Sequence, residues 1–563
     1  MKMKHLVVLN TLTLALAACG KGDINLNPSN NVSNSNNNTT TNTGGTAPPV
    51  NPCAKYAKDG QDFQGVFSEK NCTYAATFVS DSRPLTLALS LPELADGGVH
   101  IFEDSLFVGV DVDQNAADAG VKVPQEGEGA SITLAPGAKV AFKNGQDYLR
   151  IARGSKIIAE GTKEKPIIFS HVKDLRDGMG KVADRGLWGG IQINGNGMTN
   201  KCTDAQRLPK GASAHNCHIA SEGLPGTYGG SNNSESSGVL KYVQIKHAGY
   251  KVVEGNELNS LTLNAVGSKT ILDYVEAYAG QDDGFEFFGG AVNAKHLVAV
   301  ANSDDSFDFT DGYVGNIQYA LSVHPSGVGG NNCVEADNTG VGRADNITPQ
   351  TKVRFSNLTC ITNNLKKGTG TTPSPDGDSS GLLVREGFFI EVYNSIATFN
   401  TFVDTASSAA AWTFDDTEGP ETIKGAVDGW SVAKHNVIAA HKGMVNKKVD
   451  TANAGFDAAA WFTAVANNNQ LITAQASLPA VVIKNQAANV NGTAYLTADS
   501  FSDATTLAFS VTPYDASQLL DGFSAAAVSA TGATGASKFF TKPTHIGAAS
   551  TANDWVAGWT VGL

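Results

Sequence analysis

Charged residues, cysteine motifs and long apolar runs are scarce in this sequence, and each scarcity excludes a class of protein. Only 17% of the 563 residues are charged, with a formal net charge of -13, so the chain is a poor candidate for binding nucleic acid or anionic lipid headgroups. After the N-terminus, no segment approaches the roughly 18 consecutive apolar residues that a transmembrane helix requires. The seven cysteines include no CxxC pair, which disfavours a zinc site. The glycine-rich stretches PSGVGGNN and TYGGSNN do not stand between a strand and a helix with a following lysine, and we predict no organic cofactor.

The N-terminus resembles a bacterial lipoprotein signal. Two lysines in MKMKH precede the apolar run LVVLNTLTLALAA, which is too short to remain as a membrane span, and the run ends in Leu16-Ala17-Ala18-Cys19. The resemblance implies that residues 1–18 are a cleaved signal peptide and that Cys19 is lipidated. Residues 19–50 are polar and almost free of aromatic residues, which predicts a flexible tether.

By the same resemblance, the residue after the lipidated cysteine indicates the destination. Gly20 rather than an aspartate stands there, which favours the outer membrane over retention in the inner one. Whether the body faces the periplasm or the outside stays open. The lipid would be the only membrane contact of an otherwise soluble body.

The six cysteines other than Cys19 fall into pairs that are close in sequence. An exported protein meets oxidising surroundings, which favour disulfides. Short loops close at little entropic cost, so we predict pairing between nearest neighbours. The predicted disulfides are Cys53–Cys72, Cys202–Cys217 and Cys333–Cys360.

The middle of the chain repeats itself with a period of 22 residues. DDGFEFFGG (282–290) aligns with DDSFDFTDG (304–312), and other short segments of alternating apolar character recur along the same region. Strands at this period are typical of a solenoid, in which each coil buries its inward side chains against its neighbours. The repeat predicts an all-β fold: a parallel β-helix over 131–440, an N-terminal cap over 51–130 and a small α/β C-terminal capping region over 441–563. The apolar spacing of 454–472 predicts an amphipathic helix in that last region.

Several segments together resemble a large group of exported bacterial proteins with a right-handed parallel β-helix related to the pectate-lyase fold. They are ARGSKIIAEGTKEKPIIFSH (152–171), RGLWGGIQINGNG (185–197), the DDGFEFFGG and LLVREG segments, and FFTKPTHIGAASTANDWVAGWTVGL (539–563). The resemblance spans roughly residues 130–563 and implies the fold. Function has to be argued from the site itself.

Stacking the two copies of the repeat brings acidic side chains together. In a parallel stack, Phe285 and Phe287 lie over Phe307 and Phe309 and form the core, while the intervening residues face outward. Adjacent coils are about 4.8 Å apart, and carboxylates at that spacing repel by about 1 kcal/mol per pair even near water. The stacked acids are Asp282, Asp283, Glu286, Asp304, Asp305 and Asp308.

Three arrangements would relieve this repulsion, and the sequence leaves them open. Calcium takes several oxygen ligands, which these acids and Asp311 supply together with Asn302, Ser303, Thr310 and backbone carbonyls. Alternatively, the acids share protons at raised pKa and form a general acid and base site. Finally, each aspartate caps a turn by bonding its own backbone amides, with the acids fanning into solvent.

A catalytic interpretation rests on a partial resemblance to polygalacturonases, which are inverting glycosidases of this fold. Asp283 matches the acid of their first motif, and Asp304 and Asp305 match the Asp-Asp pair one coil later. The resemblance implies that two of these carboxyls flank a water molecule. His324 and Arg354 stand near the third and fourth motifs but lack the expected neighbours, since RFS replaces RIK and no glycines flank the histidine.

Long polar insertions occur at the same turn as the acids, in 249–257 and 362–380, and the loops 198–237 and 325–351 flank it. Insertions at one corner of a solenoid often mark its binding edge. The residues predicted on this edge are Tyr228, Arg354, Arg385 and Glu386. We expect a polar, calcium-assisted edge that binds a polysaccharide or a surface protein. The alternatives are a polysaccharide hydrolase or lyase that uses the stacked acids, and a structural or adhesive rod.

Overall fold

The computed structural model describes residues 50–207, 215–223, 226–253, 255–325, 330–340, 342–363, 379–399, 409–440, 442–473, 511–519, 539–550 and 552–563. The predicted signal peptide, Cys19 and the tether up to residue 49 lie outside the described residues. Asn51–Leu563 form one compact unit. No helix in the described part of the chain is long and apolar enough to cross a membrane.

Two sheets of stacked strands make up the body. In the first, called sheet I, every neighbouring pair of strands is parallel. Its ten strands are, in stacking order, Leu106–Val108, Leu149–Ile151, Ile191–Asn194, Leu261–Asn264, Phe285–Phe288, Phe307–Thr310, Asn332–Ala336, Ser380–Arg385, Trp412–Asp415 and Met444–Lys448.

The second sheet, called sheet II, has 18 strands. It is parallel apart from the pairing of its first two strands, which are antiparallel. Its strands are Val66–Ser68, Asn71–Tyr74, Leu89–Leu91, His100–Phe102, Ser131–Leu134, Lys139–Phe142, Lys156–Glu160, Ile167–His171, Gly238–Lys246, Ile271–Tyr278, Asn293–Val300, Val314–Val323, Lys352–Thr362, Phe389–Tyr393, Ile396–Phe399, Val432–Lys434, Val437–Ala439 and Gln470–Ile472.

Short hairpins and helices complete the described elements. The hairpins pair Lys55–Lys58 with Gln61–Gln64, Ile219–Ala220 with Thr227–Tyr228, and Lys251–Val253 with Asn256–Glu257. The α-helices are Gln114–Asp118, Val172–Leu175, Asp204–Arg207, Glu421–Val427 and Ala458–Thr463. The 3-10 turns are Ala95–Gly97, Thr451–Asn453, Val465–Asn467 and Ala516–Gln518.

The inward rows of both sheets form the core, as the repeat predicts. Phe285 stacks on Phe307 with ring centroids 5.4 Å apart, and Phe287 stacks on Phe309 at 4.8 Å. All four rings are fully buried. Because parallel strands in register place like residues over each other, one apolar residue per coil builds a continuous row. The parallel β-helix is therefore confirmed.

The long strands of sheet II are each interrupted by one residue with left-handed backbone. In five successive coils these residues are Tyr242, Tyr274, His296, Tyr319 and Asn357, with φ between 49° and 64°. Each falls outside the residue-to-residue pairing of its strand. A left-handed residue bends an extended chain, so each long strand contributes to two faces of the coil. We call this column, together with Asn394 and His435 in the next two coils, the bend row.

Parallel pairing extends past the predicted limits of the solenoid. Asn71–Tyr74 pairs in parallel with His100–Phe102, and Leu106–Val108 with Leu149–Ile151. The coils thus start well before residue 131, within the region 51–130 that the sequence assigns to an N-terminal cap. The disulfide Cys53–Cys72, with its Cα atoms 5.3 Å apart, ties the leading hairpin to this first coil. The two other predicted disulfides are also present.

The C-terminal region also differs from the prediction. Its α-helix covers only Ala458–Thr463, where Phe462 packs against Trp412 of the penultimate strand of sheet I. Beyond it, residues 539–563 do not close the end of the solenoid. They lie along the outer face of sheet II, where Trp555 and Trp559 are buried against strands from the middle of the chain.

Candidate functional site

A cleft of about 440 Å³ runs over the N-terminal ends of the sheet I strands, at the corner where the repeated Asp-Asp pairs lie. Nine carboxylate side chains line it, together with two basic side chains and four other residues. The lining residues are Glu222, Glu257, Asp282, Asp283, Glu286, Asp304, Asp305, Asp308, Glu335, Lys251, Arg385, Asn259, Gly255, Gln281 and Asn331. This strongly acidic lining is what the sequence repeat predicts for this corner.

Strand register places the acids. Asp282 and Asp283 precede Phe285–Phe288 directly, so their side chains lie at the turn into that strand. Within the strand, Glu286 is flanked by inward-facing phenylalanines and points outward. It pairs with Asp308 of the next coil. Because the pleat repeats in every coil, the outward positions form a row of carboxylates.

Two of the aspartates hold the turns together. The Asp283 amide donates to Asn259 Oδ1 at 3.0 Å, and the Asp305 amide donates to Asp283 Oδ1 at 2.9 Å. In the following coil, the Asn332 amide donates to Asp305 Oδ1. We call this chain of side-chain acceptors the amide row. The aspartates therefore do cap turns, as one of the three arrangements expects, but they bond the amide of the next coil and not their own.

Carboxylate oxygens of five acids converge in two groups of three that share Asp283. One group is Asp282, Asp283 and Asp304; the other is Asp283, Glu286 and Asp308. In each group one oxygen from every residue lies within 4.8 Å of the others. Asp308 Oδ1 is buried and has no hydrogen-bond donor among the described residues. A buried oxygen without a donor and a set of convergent carboxylates are the donor chemistry that a hard cation such as calcium prefers.

Burial and mutual repulsion raise the pKa of these carboxyls. Desolvation is the largest cause for Asp283, Glu286, Asp305 and Asp308, and neighbouring acids add to it, so that each pKa lies well above its usual range. Burial likewise raises the pKa of Glu222 to about 8, with Asp282 as the next cause. Without a cation, the cleft therefore holds protons at neutral pH.

Both basic residues of the cleft are engaged by acids at its rim. Arg385 forms ion pairs with Glu335 and, through Nε at 2.7 Å, with Asp337. These two carboxylates raise the pKa of Arg385 further above its usual range, against the effect of burial. Lys251 contacts Glu257 at 3.1 Å on the neighbouring hairpin. Arg385 thus lies at the predicted edge, but its charge is neutralised locally.

Loops bring in acids that the sequence did not reveal. Glu222 reaches the cleft from a loop stapled by Cys202–Cys217, and its carbonyl accepts a hydrogen bond from Gln192 of sheet I at 2.9 Å. Glu257 comes from a hairpin in the 249–257 insertion. The sequence placed both loops at this corner, but it did not single out these two acids, because only the course of the loops brings them into the cleft.

Glu335 was missed for a different reason. It belongs to Asn332–Ala336, a sheet I strand inside the segment 325–351 that we predicted to be a loop, and it pairs with Asp308. The strand NCVEA has little of the apolar alternation of its neighbours. Its one available signal was Cys333, since a predicted disulfide to Cys360 ties this segment to a core strand.

His324 does not line the cleft. It is fully buried, with its ring bonded to Ser306 Oγ at 3.1 Å and Ser379 Oγ at 2.9 Å. Burial lowers its pKa to about 3. Ser379 stands in a G-D-S-S-G sequence at 377–381, but it is itself buried. The structure thus places His324 beneath the turn that carries the aspartates, bonded to two serines.

Arg354 and Tyr228 do not line the cleft. Arg354 points from sheet II into a buried ion pair with Glu391, with nitrogen to oxygen distances of 2.7 and 2.9 Å. Tyr228 is 1% exposed and packs near Phe288. Burial raises the pKa of its hydroxyl, and the nearby Asp311, Glu222 and Glu286 raise it further, so Tyr228 lies beneath the acids and not on an exposed edge.

Asp311 and Glu386 follow sheet I strands instead of preceding them. Asp311 has left-handed backbone and bonds Lys201 Nζ at 2.6 Å, well separated in the strand from the turn that carries Asp305. Glu386 is 3% exposed, and burial raises its pKa to about 8. Neither lines the cleft, so Asp311 does not join the predicted metal ligands and Glu386 is not on the ligand edge.

Comparison with known proteins identifies the family. The model of the pectate-lyase like beta helix domain matches residues 125–419, just over half of the chain, and this range includes the whole cleft. No curated protein and no solved structure matches the chain. Sheet topology, the stacked core and the family match agree, and the chain belongs to the family of pectate-lyase-like β-helix domains.

Proposed function

We propose that the acidic cleft binds a polysaccharide with the help of divalent cations, and that calcium is the cation it takes. The observation that carries this proposal is the pair of three-carboxylate groups that share Asp283. Membership of a pectate-lyase-like family is consistent with a role connected with polysaccharides. Repulsion alone would make the ionised cluster unstable, and a cation relieves it at physiological pH.

In this proposal the acids of the cleft form two cation sites. Asp282, Asp283 and Asp304 would hold one cation near the mouth of the cleft, since Asp282 and Asp304 are only partly buried. Glu286 and Asp308, with Asp283, would hold a cation deeper in the cleft. A bound cation would supply positive charge for the carboxylate groups of an acidic polysaccharide, which the bare cleft would repel.

Binding without catalysis fits the geometry better than the hydrolase or lyase alternatives. A lyase needs a basic side chain that can lose a proton, and Arg385 is held in its charged form by Glu335 and Asp337. A polygalacturonase-like hydrolase would use Asp283 and Asp305, yet each already accepts a backbone amide from the next coil. His324 is fully buried and does not line the cleft.

Calorimetric titration of calcium into the purified chain tests the proposal. We expect saturable binding that weakens at least tenfold, or about 1.4 kcal/mol, in Asp283→Asn, because Asp283 belongs to both groups. The amide oxygen of asparagine can still accept the Asp305 amide, so the turn is kept. Asp118→Asn, an exposed change on a distant short helix, is the matched control. No binding heat with the unchanged protein would contradict the proposal.

Retention on an acidic polysaccharide column, such as polygalacturonate, tests the ligand. We expect retention in calcium, release by chelator and loss in Asp283→Asn. Release of oligosaccharides that stops in Asp305→Asn would instead establish the hydrolase. A chain that binds neither calcium nor polysaccharide would be a structural or adhesive rod.

We also propose that a lipid on Cys19 anchors this cleft at the outer membrane. The signal sequence with its Leu-Ala-Ala-Cys end supports it. Metabolic labelling with a fatty acid should mark the chain and should fail to mark Cys19→Ser. Labelling of the serine variant would refute the anchor.

A further inference from the structure

Two C-terminal segments form a second apolar core outside the solenoid. Residues 511–519 and 539–563, as far as they are described, lie on the outer face of sheet II, and we call them the strap. Trp555 and Trp559 are 7% and 2% exposed and pack against Val298, Val300 and Leu321 of successive sheet II strands. The strap therefore buries an apolar face that the solenoid would otherwise present to water.

The strap follows the bend row coil by coil. His435 Nδ1 contacts the Thr512 carbonyl at 2.6 Å, and His296 packs edge-on to Trp555 with ring centroids 4.9 Å apart. The matched pairs, from the last coil to the first, are His435 with Thr512, Asn394 with Tyr514, Asn357 with His545, Tyr319 with His545, His296 with Trp555, Tyr274 with Trp559, and Tyr242 with Trp559. Within the strap, 539–547 runs with the coils, from Lys295 to Asn394, and 548–559 then turns back toward Tyr242.

Amide side chains of the solenoid form hydrogen bonds with the backbone of the strap. Gln318 bonds both sides of Thr541, donating to its carbonyl at 2.9 Å and accepting its amide at 2.9 Å. Asn394 does the same with Tyr514, at 3.0 and 2.6 Å. Asn357 donates to the carbonyls of the residues at 545 and 547, at 2.8 and 3.0 Å. Hydrogen bonds to both the backbone N–H and the backbone C=O of one residue fix a peptide segment in register, whatever its side chains are.

Aromatic pockets add side-chain selectivity. The Trp559 ring meets Tyr242 and Tyr274 edge-on, with centroids 5.6 and 6.0 Å away, and its carbonyl accepts a hydrogen bond from Gln244. Two residues on, the Val561 amide donates to the buried carboxyl of Glu276 at 2.9 Å. Backbone bonds combined with pockets for large side chains are how proteins recognise extended peptides.

We propose that this flank of sheet II is a peptide-recognition groove and that its ligand is the segment 539–563 of the same chain, held by contacts that survive when the covalent link is cut. Residues 520–538 join this segment to Leu519. Because the link is covalent, the local concentration of the segment at the groove is high.

A cleavable full-length chain tests the groove. A protease site is placed within 520–538, and the folded protein is cut there. We expect the fragment that contains 539–563 to remain bound through gel filtration, and a labelled synthetic 539–563 peptide to replace it in the cut protein but not in the uncut one. The same peptide with Trp559→Ala should compete at least tenfold more weakly. Lys542→Ala, a change at a side chain that is 72% exposed, should compete unchanged.

Two results would overturn the proposal. The fragment could leave on cutting while the labelled peptide fails to bind. The cut protein could lose its cooperative unfolding, which would make the strap part of the body.

Discussion

The cleft carboxyls should make stability fall as pH rises when no divalent cation is present, because they hold protons in the folded state. Burial raises the pKa of Glu222 from 4.5 to about 8. The pKa values of Asp283, Glu286 and Asp308 also lie well above their usual range. Between the ordinary and the raised pKa, the folded chain binds more protons than the unfolded chain, so the free energy of unfolding decreases with pH.

The size of the effect follows from the number of protons. One extra proton in the folded state costs about 1.4 kcal/mol per pH unit, or about 2.7 kcal/mol between pH 5 and pH 7. Glu222 is partly exposed and lies close to Glu286, so solvent screening reduces its contribution to the pH dependence of the free energy of unfolding. We therefore expect the whole cluster to contribute the equivalent of about one to two protons.

Urea denaturation in chelator, followed from pH 5 to pH 7, measures this slope. Saturating calcium binds the ionised form and should flatten it. Asp283→Asn should also reduce the slope, since it removes one buried acid from both carboxylate groups while an acceptor for the Asp305 amide remains. Asp118→Asn should leave the slope unchanged. Burial lowers the pKa of His215, His247 and His324, which makes stability rise over the same range, so the readout is the difference in slope between the two proteins. Equal slopes for the native chain and Asp283→Asn in chelator would refute the protonated cluster.

Three further changes test the scaffold. Arg354→Ala leaves Glu391 buried without its partner and should lower the free energy of unfolding by about 3–5 kcal/mol; a loss below 1 kcal/mol in urea denaturation would mean that water reaches Glu391. Phe309→Ala opens a gap in the core stack and should cost about 3–5 kcal/mol, with a small loss pointing to repacking. Replacing Cys333 and Cys360 together by serine should cost about 3 kcal/mol, and a reductant should destabilise the native chain more than this variant, which keeps the two other disulfides.

Strand register could be predicted from the sequence because parallel coils place equal positions of a repeat over each other. That rule alone located Phe285 over Phe307 and Glu286 beside Asp308. It also located the Asp-Asp pairs at one corner. For a side chain in a repeated strand, the repeat spacing identifies its neighbour in the next coil, since each coil repeats the geometry of the previous one.

Residues outside the repeat could not be placed in this way. Glu222 enters the cleft through a loop whose path depends on a disulfide and on Gln192. His324 and Arg354 were assigned from motif likeness, which does not show on which sheet a residue lies. Arg354 lies on a sheet II strand and His324 directly follows one, whereas the acids lie at sheet I. The strap was mistaken for an end cap, because its apolar residues show that it is buried but not which surface buries it.

The amide row uses the same kind of residue in successive coils. DDGFEFFGG and DDSFDFTDG each contain, within nine residues, two core phenylalanines, an aspartate that accepts an amide of the next coil, and outward-facing acids. Duplicating one whole coil of 22 residues would add one layer to the core, add one hydrogen bond to the amide row, and lengthen the acidic cleft by about 4.8 Å. The length of the cleft can thus change by whole coils through gene duplication, without a new kind of binding residue.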